Sequence, residues 1–83
     1  MSKGYASPLG TELGKLALHC GGEAELASLL HVGARTVWGY RSGKYRPREA
    51  VCWQLARVSR TLYGQDDPRG RPEWWMEVSN DVD

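Results

Sequence analysis

Apolar residues recur at intervals of three and four along much of the chain, the spacing that places them on one face of an α-helix. Ser7-Pro8 supplies the start of a first helix, with serine as the cap and proline in the first turn. Gly21-Gly22 ends it. Its apolar face consists of Leu9, Leu13, Leu16, Ala17 and Cys20. Residues 1–7 show no such period, so we expect a loose arm there.

Three further helices follow from the same spacing. A short helix is predicted over residues 23–30, and the tight turn His31-Val32-Gly33 separates it from a third helix that starts at Ala34 and ends at Ser42-Gly43. The fourth and longest helix is predicted over residues 47–63, where an apolar stripe lies on the core and Gly64 ends the pattern. This stripe consists of Val51, Leu55, Val58 and Leu62.

The last segment has a less regular pattern. Residues 65–72 contain two aspartates, two prolines and a glycine, which are typical of a loop. Residues 73–78 are rich in apolar side chains, and their pattern leaves open a strand, a short helix or a plug against the body. We expect residues 79–83 to be disordered. The sequence thus predicts an all-α, four-helix domain over 8–64 and a tail over 65–83 that adds a short strand or helix.

Composition limits the class of protein. With 83 residues the chain is long enough for one core, and 41% hydrophobic and 25% charged residues are ordinary for a soluble globular domain. No apolar run approaches the ~20 residues that a transmembrane helix needs, and the start lacks the apolar centre of a secretory signal. We therefore expect a cytoplasmic protein without a membrane partner.

Cysteine and histidine spacing argues against a metal site. Cys20 and Cys52, with His19 and His31, include no closely spaced pair of the kind that structural zinc sites use. We expect two free thiols that pack as small apolar side chains, with a disulfide as the alternative. No metal and no cofactor are predicted.

Charge is distributed unevenly, although the net charge is only +1. Up to Tyr63 there are nine Lys and Arg against four Asp and Glu, whereas from Gly64 onward there are two against six. A basic body with an acidic tail is typical of a domain that meets phosphate on one side.

The stretch from Glu25 to Lys44 contains the pattern that points to function. Ala27 is a small residue where two helices would cross, and apolar residues on both sides are spaced to fix their angle: Leu26, Leu30, Val32, Val37 and Tyr40. Thr36-Val37 is followed by an aromatic residue, then by Gly43-Lys44 and Pro47. The stretch resembles the helix-turn-helix of Cro and phage-repressor proteins, and the arrangement of helices extends the resemblance over residues 9–62.

One position departs from the family pattern. The turn of such proteins usually has glycine just before its apolar residue, and here His31 stands there. Either strain or a slightly altered turn is expected, and histidine tolerates positive φ better than most side chains.

The resemblance implies that the helix over 34–42 enters the major groove of double-stranded DNA. The implied base contacts are Ala34, Arg35, Trp38 and Gly39, with Arg35 able to donate two hydrogen bonds to one guanine. The implied phosphate contacts are Thr36, Arg41, Ser42, Lys44, Arg46 and Arg48. Packing on neighbouring surface is the alternative for Trp38, and packing or capping for Thr36.

A homodimer on two half-sites is expected, because single modules bind DNA weakly. The candidate dimer contacts are Trp74, Trp75, Met76 and Val78, since exposed aromatic side chains often mark an interface. The alternative is that these four residues cover the domain's own core.

The sequence thus predicts a DNA-binding transcriptional regulator, and the resemblance favours a repressor of a phage or other mobile element. The alternative is a protein-interaction module or an antitoxin-like protein that binds a protein partner with the same fold. No enzyme is predicted, because none of the familiar catalytic or phosphate-binding motifs occurs in the chain.

Overall fold

A computed structural model describes residues 8–80, and these residues form five α-helices and one 3-10 turn without any strand. The helices are α1 (Pro8–Cys20), α2 (Glu23–Leu30), α3 (Ala34–Ser42), α4 (Glu49–Tyr63) and α5 (Pro72–Asn80). The 3-10 turn spans Pro68–Gly70, between α4 and α5. The all-α prediction is confirmed. The predicted arm over residues 1–7 lies outside the described residues.

The first four helices lie close to where the apolar spacing predicts them. The difference is at the start of α4, which begins at Glu49 and not at Pro47. Arg48 has an extended backbone and serves as the N-cap, and its carbonyl accepts the first helical hydrogen bond from the Cys52 N–H at 3.0 Å. Pro47 therefore lies in the connection before the helix.

The helix count of four is wrong by one, because the tail folds into α5. Proline at the first position suits a helix start, and Trp75, Val78 and Ser79 face inward at helical spacing. The prediction of disorder is also wrong for residues 79 and 80. The Ser79 hydroxyl is buried and donates to the Trp75 carbonyl at 2.6 Å. Residues 81–83 lie outside the described range.

The core is built around α1, which packs against each of the other four α-helices. α3 packs on α1 and α2, whereas α5 packs on α4, on the 3-10 turn and on α1. The largest buried side chain is Trp75, which is 0% exposed. Its indole N–H donates to the Arg69 carbonyl at 2.7 Å, and its ring meets Trp74 edge-on with centroids 4.9 Å apart.

A buried carboxylate ties the tail to the first helix. Glu12 of α1 accepts hydrogen bonds from the Tyr63 hydroxyl at 2.7 Å and from the Arg69 guanidinium at 2.8 Å. Arg69 also lies over the Tyr63 ring, 3.5 Å from its centroid, and forms two 2.8 Å hydrogen bonds with Asp67. Burial, followed by the hydrogen bond with Glu12, raises the pKa of Tyr63 to about 12. These contacts fix the segment after α4, which the sequence predicts as a plain loop.

Asp67 makes stability depend on acid pH. Hydrogen bonds from the Arg69 side chain and backbone N–H lower the pKa of Asp67 from 3.8 to about 2. A carboxyl group whose pKa falls on folding stabilises the fold above its ordinary pKa, and that contribution is lost as pH falls toward 2. We therefore expect the melting temperature of the wild type to fall more steeply between about pH 4 and pH 2 than that of Asp67→Asn.

Thermal denaturation followed by circular dichroism measures this difference. Asp66→Asn is the matched control, because Asp66 is exposed, and it should follow the wild-type curve. Parallel curves for the wild type and Asp67→Asn would contradict the role of Asp67.

Candidate nucleic-acid interface

α2 and α3 are joined by the three residues His31, Val32 and Gly33. His31 has φ 60° and ψ 39°, so it adopts the left-handed conformation that the turn requires. The Val32 N–H donates back to the Ala27 carbonyl at 3.0 Å. The Gly33 carbonyl accepts hydrogen bonds from the N–H groups of Thr36 and Val37 in the first turn of α3. These backbone hydrogen bonds close the turn with histidine at its left-handed position.

His31→Gly should raise the free energy of unfolding by about 0.5–1 kcal/mol. Glycine removes the left-handed strain, and its greater freedom in the unfolded chain offsets part of that gain. Urea denaturation measures the change, and His31→Val should lower stability, because a β-branched residue resists positive φ. If the glycine variant is less stable than the wild type, the imidazole makes a contact that stabilises the fold by more than the backbone strain destabilises it.

The apolar residues expected to fix the angle between these helices do lie inside. Leu26, Ala27, Leu30, Val37 and Tyr40 are buried, and Val32 packs partly buried against the same core. The sides of α2 and α3 that meet are therefore the predicted ones.

The first turns of α3 present their outer face to solvent. Ala34 and Arg35 are exposed, and Trp38 is 50% exposed. Within residues 8–80, α5 does not approach α3, and α4 borders only the side of α3 that carries Thr36 and Tyr40. Three of the predicted base contacts, Ala34, Arg35 and Trp38, are therefore accessible, and the described part of the tail does not cover them.

Gly39 is an exception, and we remove it from the predicted base contacts. It is buried under the ring of Tyr45, and a Cβ atom at this position would clash with that ring. The backbone N–H groups of Lys44 and Tyr45 both donate to the Gly39 carbonyl, at 2.8 and 3.1 Å. The connection after α3 therefore folds back over the helix, and Tyr45, which is not among the predicted contacts, becomes part of the outer face. The sequence does contain a signal for this contact, because a glycine within a predicted helix often has a packing reason.

Tyr45 closes one side of a shallow cleft on this face. The cleft has a volume of about 310 Å³ and is lined by Arg35, Trp38, Gly39, Lys44 and Tyr45. The Lys44 ammonium lies 5.6 Å from the centroid of the Tyr45 ring, and Tyr45 is itself 47% exposed. Two half-exposed aromatic rings and two cations are thus brought together.

Arg48 lies on a different side of α3. It shares a second cleft, of about 480 Å³, with Thr36 and Tyr40 of α3 and with Gln54 of α4. Since Thr36 and Tyr40 are four residues apart, they share a helix face that differs from the face of Arg35 and Trp38. Lys44 and Arg48 therefore flank the exposed start of α3. Arg46, between them in the connection, is also exposed.

Arg41 and Ser42 each make a hydrogen bond within the chain, so we remove both from the predicted phosphate contacts. The Arg41 guanidinium forms a 2.7 Å ion pair with Glu23 of α2 and lies against Gly14 of α1. The Ser42 hydroxyl donates to the Gly39 carbonyl at 3.2 Å. Arg41 therefore holds α3 to the two helices beneath it.

The residues expected to form a dimer contact pack on the chain's own core. Trp75 and Val78 are buried, and Trp74 and Met76 are partly buried against the same cluster. Trp75 and Val78 leave almost no side-chain surface for a second copy, so the alternative, a core role, holds for these two residues. Trp75 and Val78 are therefore removed from the predicted dimer contacts, whereas the contact through Trp74 and Met76 stays a prediction.

The two thiols are free, with Cys52 buried and Cys20 partly buried. Burial raises the pKa of both thiols. Within residues 8–80, no group of three or more potential ligands is gathered for a metal ion, and no helix is both long and apolar enough to cross a membrane.

Comparison of the chain with models of protein families, with curated proteins and with solved structures finds no match. The likeness to Cro and phage-repressor proteins therefore stays a prediction from the residues of the stretch 25–44.

Proposed function

We propose that this chain is a DNA-binding protein that inserts the start of α3 into the major groove, and that it regulates transcription as a repressor of a mobile element. One observation supports this most: the exposed first turns of α3 are flanked by cations on two sides and are left uncovered by α5. An α-helix fits the width of the major groove, and phosphates border that groove on both sides.

Within this proposal each accessible side chain has a part. Arg35 donates two hydrogen bonds to a guanine, while Ala34 and Trp38 touch the apolar parts of neighbouring bases. Lys44, Arg46 and Arg48 meet phosphates, together with Thr36 at the side of the helix. We retain the homodimer, because two spaced half-sites raise the affinity of so small a module.

Salt dependence of DNA binding tests the proposal. Fluorescence anisotropy with a labelled duplex of random sequence gives the affinity at several salt concentrations. With three phosphate-binding cations, we expect a slope of log affinity against log salt near −3 for each bound copy. Arg48→Ala removes one of these cations, so the slope should become less steep by about 1. Affinity that does not change with salt would contradict DNA binding by this face. Sedimentation with and without DNA measures the number of copies.

Arg35→Ala should weaken binding to a selected duplex by about 1–3 kcal/mol and relax the choice of base at one position. The duplex is obtained by selecting bound sequences from a random library. Arg57→Ala is the matched control, because Arg57 is an exposed arginine on α4, away from the proposed interface. Equal losses for the two variants would remove Arg35 from base recognition.

The alternative function, binding of a protein partner, is favoured by exposed leucines at another face. Leu18 is 84% exposed and Leu29 is 50% exposed, and Leu29 borders a cleft of about 480 Å³ between α1, α2 and α4. An apolar contact of this kind would be insensitive to salt, so the same titration separates the two functions.

A further inference from the structure

The cleft between α3 and the connection after it has an unusual chemistry: it is rich in donors and apolar rings. Arg35 and Lys44 only donate hydrogen bonds, and so does the Trp38 indole N–H. Of the described residues that line the cleft, Tyr45 alone has a side-chain group, its hydroxyl, that can accept as well. Among residues 8–80, no carboxylate and no side-chain amide lines it.

Base edges in the major groove differ in what they offer to such a surface. Guanine presents two acceptors, and thymine presents one acceptor and a methyl group. Adenine and cytosine each present an amino donor, which needs an acceptor from the protein. A surface of donors and aromatic rings is therefore complementary to guanine and thymine.

We infer that this cleft recognises a guanine and a neighbouring thymine, with Arg35 on the guanine and the thymine methyl group packed against Trp38 and Tyr45. This inference rests on the proposed function, and it names the bases that the site selects. Trp38 and Tyr45 are the specificity-determining residues for the methyl group, and Arg35 is the one for the guanine.

The backbone holds Tyr45 in place for this contact. Its ring covers Gly39, and its N–H donates to the Gly39 carbonyl, so the ring is held against α3. Glycine inside a helix is unfavourable relative to alanine, yet any larger residue at position 39 would displace the ring. Gly39 is accordingly a positioning residue for Tyr45.

Replacing thymine by uracil tests the inference, because uracil lacks only the methyl group and keeps the same hydrogen-bonding edge. A duplex is first selected from a random library made with thymine, and it is then synthesised once with thymine and once with uracil. The wild type should bind the thymine duplex about three- to fivefold more tightly for each methyl group in contact. The selected sequence should place a guanine beside that thymine.

Two variants locate the effect. Trp38→Ala should lower the ratio of the two affinities toward one, since the larger of the two aromatic rings that pack on the methyl group is removed. Trp53→Ala is the matched control: Trp53 lies on α4 and is 51% exposed, against 50% for Trp38, and its loss should leave the ratio unchanged. The uracil comparison with wild-type protein does not depend on either variant being folded.

Equal affinity for the two duplexes, with the steep salt dependence retained, would overturn methyl recognition and leave DNA binding standing. Absence of salt-dependent binding to both duplexes would overturn the proposed function together with this inference. Tighter binding of the single-stranded form than of the duplex would also overturn it, in favour of stacking of unpaired bases on Trp38 and Tyr45.

Discussion

Trp75→Ala is expected to lower the free energy of unfolding by about 3–5 kcal/mol. This is a large share of the free energy of unfolding of a typical domain, which is about 5–15 kcal/mol. The indole is fully buried between α5 and the rest of the core, so its removal leaves a cavity. The Arg69 carbonyl also loses the hydrogen bond from the indole N–H. Urea denaturation followed by circular dichroism measures the loss.

Two further variants make this result specific. Trp53→Ala removes a half-exposed tryptophan and should change stability by less than about 1 kcal/mol. Trp75→Phe keeps an aromatic ring while removing the N–H, and it should fall between Trp75→Ala and the wild type. A Trp75→Ala protein as stable as Trp53→Ala would mean that α5 does not contribute to the folded core.

Glu12→Ala should lower the free energy of unfolding by about 2–3 kcal/mol. This buried carboxylate accepts hydrogen bonds from Tyr63 and Arg69, so its loss leaves the Tyr63 hydroxyl without this acceptor and removes the ion pair between α1 and the 3-10 turn. Arg69 retains its contact with Asp67 and some access to water, which keeps the loss below that of a fully buried ion pair.

Glu77→Ala is the control for Glu12→Ala, because Glu77 is an exposed glutamate on α5. It should change stability by less than about 0.5 kcal/mol. Glu12→Gln retains the size of the side chain and should lie between Glu12→Ala and the wild type. Equal stabilities of the Glu12→Ala and Glu77→Ala proteins would contradict the part assigned to the buried carboxylate.

The first four helices could be predicted because the spacing of apolar residues defines their inner faces and glycine residues mark where they end. α5 could not be identified with certainty, because residues 73–78 are short and contain two adjacent tryptophans, a pattern compatible with a strand, a helix or a plug. The contacts that select the helix come from outside the segment, since Trp75 packs on the core and hydrogen-bonds the Arg69 carbonyl.

The exposed part of the candidate site could be predicted for the same reason: Arg35 and Trp38 lie opposite the buried positions of α3. Gly39 and Arg41 were misassigned because their partners lie elsewhere in the chain. Tyr45 covers Gly39 by folding back from the next connection, and Arg41 pairs with Glu23, eighteen residues earlier. Periodicity within one helix contains no information about such partners.

The central position of α1 affects how mutations in this protein are interpreted. α3 and α5 do not pack on each other within residues 8–80, yet both rest on α1. A substitution at a buried residue of α1 such as Leu13 can therefore disturb the outer face of α3 and the anchoring of the tail together. A defect caused by such a substitution therefore does not show whether the outer face of α3 or the anchoring of the tail is disturbed. Substitutions at Lys44 or Glu77 change only one of these two parts.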